Sequence, residues 1–190
     1  TDGNITGVSN AIAIEDIFAL AGQLTPNAKH FGILFNLGEV NAVSSAQRAM
    51  DFCDANGLTY TVSNISSTGE LQQAAQALAE KVDAIFVPND NSIASAMGTL
   101  AGVAIGARIP VYVGVDSMVA DGGLASVACD YDVLGEQVAD MVIRLMEGQT
   151  IAQNPVEVVS GNATVINTST AAAIGVAIPE DILAGCMTVK

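Results

Sequence analysis

The run Ala84-Ile85-Phe86-Val87-Pro88-Asn89-Asp90-Asn91 decides the fold. Four apolar residues bounded by turn formers predict a strand buried on both faces, the kind found in parallel sheets covered by helices. The chain then passes at once into proline and three polar residues. The same change closes four other apolar runs, at Asn36 to Asn41, Ser63-Asn64, Asp116-Ser117 and Asp130-Tyr131. In an open α/β sheet the carboxyl ends of the strands face the ligand, because helix N-termini and loop side chains converge there. The recurrence predicts a binding crevice.

Working outward, the elements alternate. Ile14, Ile17, Ala21 and Leu24 have helical spacing that Pro26 stops. Residues 31–35 form a strand, and the turn through Asn41 leads to a helix with Ala46, Ala49, Met50 and Cys53 inside and Gly57 as its C-cap. A strand at 58–62 precedes Ser67 and Glu70, which form a capping box ahead of Leu71, Ala74, Ala75, Leu78 and Val82. After the 84–87 strand, Asn91 or Ser92 caps a helix that buries Ile93, Met97, Leu100, Ala101 and Ala104. Strands at 109–115 and 124–129 flank a short helical turn, and Asp132 caps a helix through Glu147 with an apolar stripe at Leu134, Val138, Met141, Val142 and Leu145. Beyond Gly148 come a polar linker, short strands at 156–159 and 164–167, and a last helix opened by Pro179 at its first position. This alternation predicts an α/β fold with a doubly wound parallel sheet.

Composition narrows the function. The chain has 190 residues, 51% of them hydrophobic, and six Lys plus Arg against twenty Asp plus Glu give a formal charge of −14. That charge repels phosphate backbones and anionic lipid, so nucleic acid and membrane surfaces are poor partners. Cys53, Cys129 and Cys186 show no metal spacing and read as small buried hydrophobes. No apolar run approaches a membrane span. The sequence opens at Thr1 without Met or a signal-like segment, which points to a beginning that has been removed.

Familiar chemistries fail against the loops. There is no G-x-x-x-x-G-K-[ST], and the first β-α turn holds a single glycine, so no cofactor is expected. His30, the only histidine, stands at the amino end of its strand, which leaves no Ser-His-Asp or Cys-His constellation at the crevice. Asp90, Asp116 and Asp130 on neighbouring strand ends admit a metal-dependent enzyme, since such carboxylates can hold magnesium for phosphoryl transfer. Against that, no Lys or Arg falls at a strand end to meet a phosphate. Carboxylates with Asn amides and no cation suit instead a ligand presenting an ammonium. A ligand carboxylate would sit on the N–H groups of the helices that start near Asn41 and Ser92. Asp90, Asn91 and Asp132 also read as plain N-caps.

A resemblance covers almost the whole chain. It is carried by Asn4-Ile5-Thr6-Gly7, Pro26-Asn27-Ala28-Lys29, Asn36-Leu37-Gly38-Glu39-Val40-Asn41, residues 79–85, Pro88-Asn89-Asp90-Asn91, Asp130-Tyr131, Asn167, residues 171–175 and Ile178-Pro179-Glu180. These segments, in this order, resemble the ABC-transporter substrate-binding proteins of the tryptophan/tyrosine type. The resemblance implies a type I periplasmic-binding-protein fold, with two α/β lobes joined by crossovers and closing on a small amino-acid-like ligand that is handed to an ABC permease. It implies that residues 1–131 are the second lobe, that the helix at 132–148 packs on a first lobe that is mostly missing, and that 149–190 is a C-terminal crossover segment. On its own the fragment would then self-associate through the 132–147 helix or exchange that helix with a neighbour. A periplasmic or otherwise extracytoplasmic location follows, with or without a lipid anchor.

Carried over residue by residue, the cleft positions are Glu39, Asn41, Asn89, Asp90, Asn91, Asp116 and Asp130, with Asp116 and Asp130 taking the ammonium or side-chain hydrogen bonds. Asn89 stands where the family often has Thr, and Ala42 where it often has Ser. Few aromatics lie near the cleft, so stacking partners for an aromatic ligand must come from elsewhere. Effector domains of transcription regulators share the two-lobed architecture and form the other class to weigh.

Overall fold

A computed structural model describes residues 3–159 and 162–190. In chain order the elements are β1 (Val8–Ser9), α1 (Ile14–Leu24), β2 (His30–Asn36), α2 (Val40–Asn56), β3 (Thr59–Ile65), α3 (Leu71–Ala79), β4 (Ala84–Val87), α4 (Asn91–Ser95), α5 (Met97–Ala107), β5 (Val111–Val113), α6 (Asp116–Ala120), β6 (Ala125–Cys129) and α7 (Tyr131–Met146). They continue as β7 (Glu157–Val158), β8 (Asn162–Asn167), α8 (Thr168–Ile174), α9 (Glu180–Ala184) and β9 (Met187–Val189). The chain divides into a larger unit, Ile12–Ala128 with Thr164–Lys190, and a smaller one, Thr1–Ala11 with Cys129–Ala163. Among the described residues no helix is long and apolar enough to cross a membrane.

The larger unit is built on a sheet of order β3-β2-β4-β5-β6-β8-β9, parallel wherever the register is defined. Alternation along each strand sorts its side chains between two cores. Phe31, Ile33 and Phe35 of β2, Ala84 and Phe86 of β4 and Tyr112 of β5 join α1 and α2 on one face. Leu34, Ile85, Val87, Val111 and Val113 join α3 and α5 on the other. The period-2 geometry of a strand thus turns continuous apolar runs into two buried layers. Phe18 of α1 anchors the first, with ring centroids 4.9 Å from Phe31, 5.0 Å from Phe52 and 5.4 Å from Phe86.

Strand order reverses between β2 and β4, next to the edge strand β3. From β2 the chain moves outward to β3, then returns to place β4 on the other side of β2. Helices α2 and α4 therefore leave adjacent strand ends and pack on opposite faces. A crevice opens wherever neighbouring connections diverge in this way, at a topological switch point.

In the smaller unit β1 and β7 pair in parallel, Val8 with Glu157 and Ser9 with Val158. Helix α7 carries Arg144, whose guanidinium donates to Glu157 at 2.7 Å. Thr6 donates from Oγ1 to the backbone oxygen of Asn154. Of the expected apolar stripe on α7, Met141 is buried, Leu134 and Leu145 are half-buried and Val138 and Val142 are exposed, as are Ile143 and Met146 outside the stripe.

Several local expectations are corrected. Strand β3 runs on through Ile65, so Ser63 and Asn64 are strand residues paired with Leu34 and Phe35, not a polar loop beyond the strand. The expected capping box at Ser67 and Glu70 takes another form: the Glu70 carboxylate accepts from the Ser66 N–H and the Ser67 hydroxyl, and a short 3-10 turn at Thr68–Glu70 precedes α3. The single helix expected after Asn91 is broken at Ala96 into α4 and α5. Pro179 is the N-cap of α9, not its first residue. Of the three cysteines only Cys53 is fully buried, while Cys129 and Cys186 are half-buried.

Candidate functional site

At the switch point the turn after β2 and the turn after β4 are tied together by side chains. Glu39, the N-cap residue of α2 in extended backbone, sends its carboxylate across to the start of α4. Its Oε2 accepts from the Asn91 N–H at 2.9 Å and from Asn91 Nδ2 at 3.0 Å. Its Oε1 accepts from the Ser92 N–H and the Ser92 hydroxyl, both at 2.8 Å. The helix N-terminus expected to receive a ligand carboxylate near Ser92 is thus already bonded to a carboxylate of the protein itself.

Asp90 is the second tie. It is wholly buried; Oδ2 accepts from the Asn36 N–H at 2.6 Å and Oδ1 from the Ile93 N–H at 2.9 Å. Asp90 is therefore the N-cap of α4, one of the three cap readings that the sequence offered, and Asn91 and Ser92 are not. The side chain that caps is the one on the last residue in extended backbone, and here that residue is Asp90. Asn36 completes the network, donating from Nδ2 to Ser92 Oγ at 2.7 Å and accepting from the Gly38 N–H at 2.8 Å.

The two carboxylates respond in opposite directions. Burial pushes Glu39 up, but the bonds from Asn91 and Ser92 together outweigh it and hold the group below its ordinary value. Burial pushes Asp90 up; the bonds from Ile93 and Asn36 only partly offset this, and the neighbouring charge of Glu39 adds to it.

The groups that face outward are others. Asn41 is exposed and donates from Nδ2 to the Asn89 backbone oxygen at 2.8 Å, which leaves its amide oxygen outside that bond. Asn89 is half-buried. Asp116, the first residue of α6, is exposed, and its described hydrogen bond is from the adjacent Ser117 N–H at 2.8 Å. Leu37 and Val40 stand exposed on the same turn as Asn41, an apolar surface beside the polar one. The structure thus brings Glu39, Asn41, Asn89, Asp90 and Asn91 together and divides them into internal braces and open groups.

Asp130 belongs to the smaller unit. Its Oδ1 accepts from the Asp132 N–H at 3.0 Å and the Val133 N–H at 3.3 Å, so Asp130 and not Asp132 caps α7.

Gly114 is a positioning residue that sequence reasoning passed over as part of a strand. A Cβ there would stand 2.7 Å from the Asn89 nitrogen and 2.8 Å from Ile12 Cδ1. The absent side chain lets β5 approach the β4–α4 turn, where the Gly114 N–H donates to the Val87 oxygen at 2.9 Å. Only the residue type hinted at this, since a glycine inside a strand pattern marks close backbone approach.

Comparison with known proteins gives this geometry a context. The whole chain, residues 1–190, matches the family model described as ABC transporter substrate binding protein. A tyrosine-binding protein of Clostridioides difficile is 31% identical over 172 residues, covering 90% of this chain and 50% of that protein. The crystal structure of an ABC domain from Streptococcus pneumoniae in complex with L-Trp superposes with a TM-score of 0.85 at 34% identity, covering 99% of this chain and 64% of that one. A conserved domain protein from Vibrio cholerae superposes equally well, with a TM-score of 0.85 at 34% identity over 98% of this chain and 63% of that one. The chain spans half the length of the curated relative it matches.

Proposed function

Since the chain belongs to the ABC transporter substrate-binding protein family, we propose that it is the solute-binding part of an importer and takes an aromatic amino acid, tyrosine or tryptophan. The observation that carries this is the match along nearly all of the chain to a tyrosine-binding protein and to a structure holding L-Trp. The switch-point crevice supports it, because its open groups are carboxylate, amide and apolar surface, with no cation.

In this reading Asp116 takes the ammonium, a charge-assisted bond for an exposed carboxylate whose described partner is only its neighbour's N–H. Asn41 and Asn89 offer amides to the ligand, and Leu37 and Val40 an apolar wall. Glu39, Asp90 and Asn91 position these groups by holding two turns in register, and a ligand role for Asp130, in the smaller unit, rests on the family resemblance alone. No bond is made or broken. Contacts complete only in a closed state shift an open–closed equilibrium, and an ABC permease reads the closed shape. The protein acts outside the cytoplasmic membrane, as its family does, with or without a lipid anchor. The exposed apolar face of α7 joins it to a second copy when no other lobe covers that face.

Calorimetric titration of the full-length protein with L-tyrosine, L-tryptophan, L-leucine and L-glutamate tests this reading, alongside Asp116→Asn and Asp130→Asn. Saturable binding of an aromatic amino acid, weakened about tenfold or more by Asp116→Asn, is the expected result. Binding of none of the four, or affinity unmoved by both substitutions, refutes it.

A further inference from the structure

We propose a second binding site, for a small zwitterion, at the end of the seven-stranded sheet opposite the crevice. A depression of about 630 Å3 lies there, where the segment after α1, the residues entering β4 and β5 and the turn after α8 converge. The length of β4, roughly 13 Å for four residues, separates it from the switch point.

Two opposite charges line the depression, Asp83 and Arg108, and they are not paired with each other. Among the described residues the ion pairs are Arg48 with Glu15 and Arg144 with Glu157. The backbone holds each of the two charges apart. Asp83 Oδ2 accepts from the Lys29 N–H and the His30 N–H, both at 2.9 Å, so the carboxylate is fixed across the entrance to β2 with Oδ1 outside those bonds. Those two bonds favour the charged form and hold its pKa below the ordinary value.

Arg108 is fixed in a different way. It is the C-cap of α5 at φ 58°, ψ 36°, and among the described residues it is the non-glycine with positive φ. The Ile109 N–H donates to the Ala104 oxygen at 2.8 Å, which closes the helix in the manner usually served by glycine. A cation near a helix C-terminus suits the dipole, but any position in the last turn would supply that. Placing one of only six Lys plus Arg on the strained residue, at the lip of a depression, is not explained by the helix.

A ligand with one carboxylate and one ammonium fits both charges. The guanidinium offers paired N–H donors to the carboxylate, and Asp83 Oδ1 accepts from the ammonium. Leu24, Pro26, Ile109 and Val176 line the same space and would cover a short carbon skeleton. A plain anion would meet the Asp83 charge, and a plain cation would meet Arg108, so each half-ligand is disfavoured.

The test is a titration of the 15N-labelled protein with glycine, acetate and methylammonium, followed by amide chemical shifts. Glycine is expected to move the amides of residues 24–28, 82–83, 108–109 and 175–177 saturably, with a dissociation constant on the order of millimolar. Acetate and methylammonium should bind about tenfold more weakly. Arg108→Gly removes the cation while relaxing the backbone, so it remains folded and should lose glycine binding by about tenfold or more. Asp116→Asn should leave these shifts as they are. The proposal is overturned by the absence of a saturable shift up to about 50 mM, by unchanged glycine binding in Arg108→Gly, or by acetate binding as well as glycine. Shifts confined to residues 36–41, 89–92 and 116 would report the crevice alone and would equally overturn it.

Discussion

Glu39→Gln probes the tie that shapes the crevice. In the native protein each carboxylate oxygen accepts one backbone and one side-chain donor, from Asn91 and from Ser92. Glutamine keeps one accepting oxygen and presents NH2 where the other stood. Whichever way the amide turns, a backbone N–H at the start of α4 faces a donor. A stranded donor costs about 1–3 kcal/mol when buried, and the lost charge near a helix N-terminus about 0.3–1 kcal/mol. Glu39 is only half-buried, which discounts both, so the expected loss at pH 7 is about 2 kcal/mol. The sign with pH follows from the direction of the shift. The folded-state pKa of Glu39 lies below the ordinary 4.5, so its stabilisation is fully present above that value and is lost as pH falls through the folded value. Urea unfolding followed by far-UV circular dichroism, which needs no Trp in a chain that has none, measures the gap between wild type and variant. It should be constant from about pH 8 to 5 and shrink in stronger acid. A gap below about 0.5 kcal/mol at pH 7, or one that widens in acid, would refute the assignment of Glu39 as a brace. The same substitution removes a charge that helps raise Asp90, so the Asp90 pKa should fall in the variant, as a carboxyl-detected NMR titration would show.

Three further outcomes are expected. Gly114→Ala forces a Cβ to within 2.7 Å of the Asn89 nitrogen, so it should cost about 1–3 kcal/mol of stability and weaken amino-acid binding, read by unfolding and calorimetry on the same sample. Burial raises the Cys53 thiol to about 11, with the Asp54 charge adding to it, so at pH 8 iodoacetamide should label Cys53 last of the three cysteines; mass spectrometry of a time course decides this. Ile143→Glu places a charge on the exposed face of α7 and should turn a self-associating chain into a monomer in sedimentation velocity, whereas a wild type already monomeric at high concentration would count against that face as a contact.

The framework of the larger unit was legible because burial on both faces leaves long apolar runs. Residues 84–87 form β4 with the expected bounds, Gly57 is the left-handed C-cap of α2, and the five apolar residues expected inside the helices after Asn91 are all buried. What could not be read was the assignment of polar side chains. The sequence offered Asp90, Asn91 and Ser92 as caps without choosing Asp90, and Asp130 caps where Asp132 was expected, because capping depends on where the backbone leaves the extended region, which composition does not specify. The reach of Glu39 to Asn91 spans 52 residues and exists only because strand order reverses between β2 and β4. No local pattern encodes such a bond. Family resemblance marked Glu39 and Asp90 as cleft residues, but it did not separate residues that brace a cleft from residues that face into it.

The pairing of β1 with β7 also has a bearing on the ribosome. Val8 meets Glu157, so the strand that pairs with β1 is translated only after five of the seven strands of the larger unit's sheet. At roughly 5–20 residues per second that interval is on the order of ten seconds, during which Val8 and Ser9 wait for the strand that pairs with them. The pair of β1 with β7 thus forms late, while the strands of the larger unit arrive mostly in sequence. A nascent chain stalled near residue 128 should already protect the amides of β2 and β4 from hydrogen exchange and leave those of β1 open.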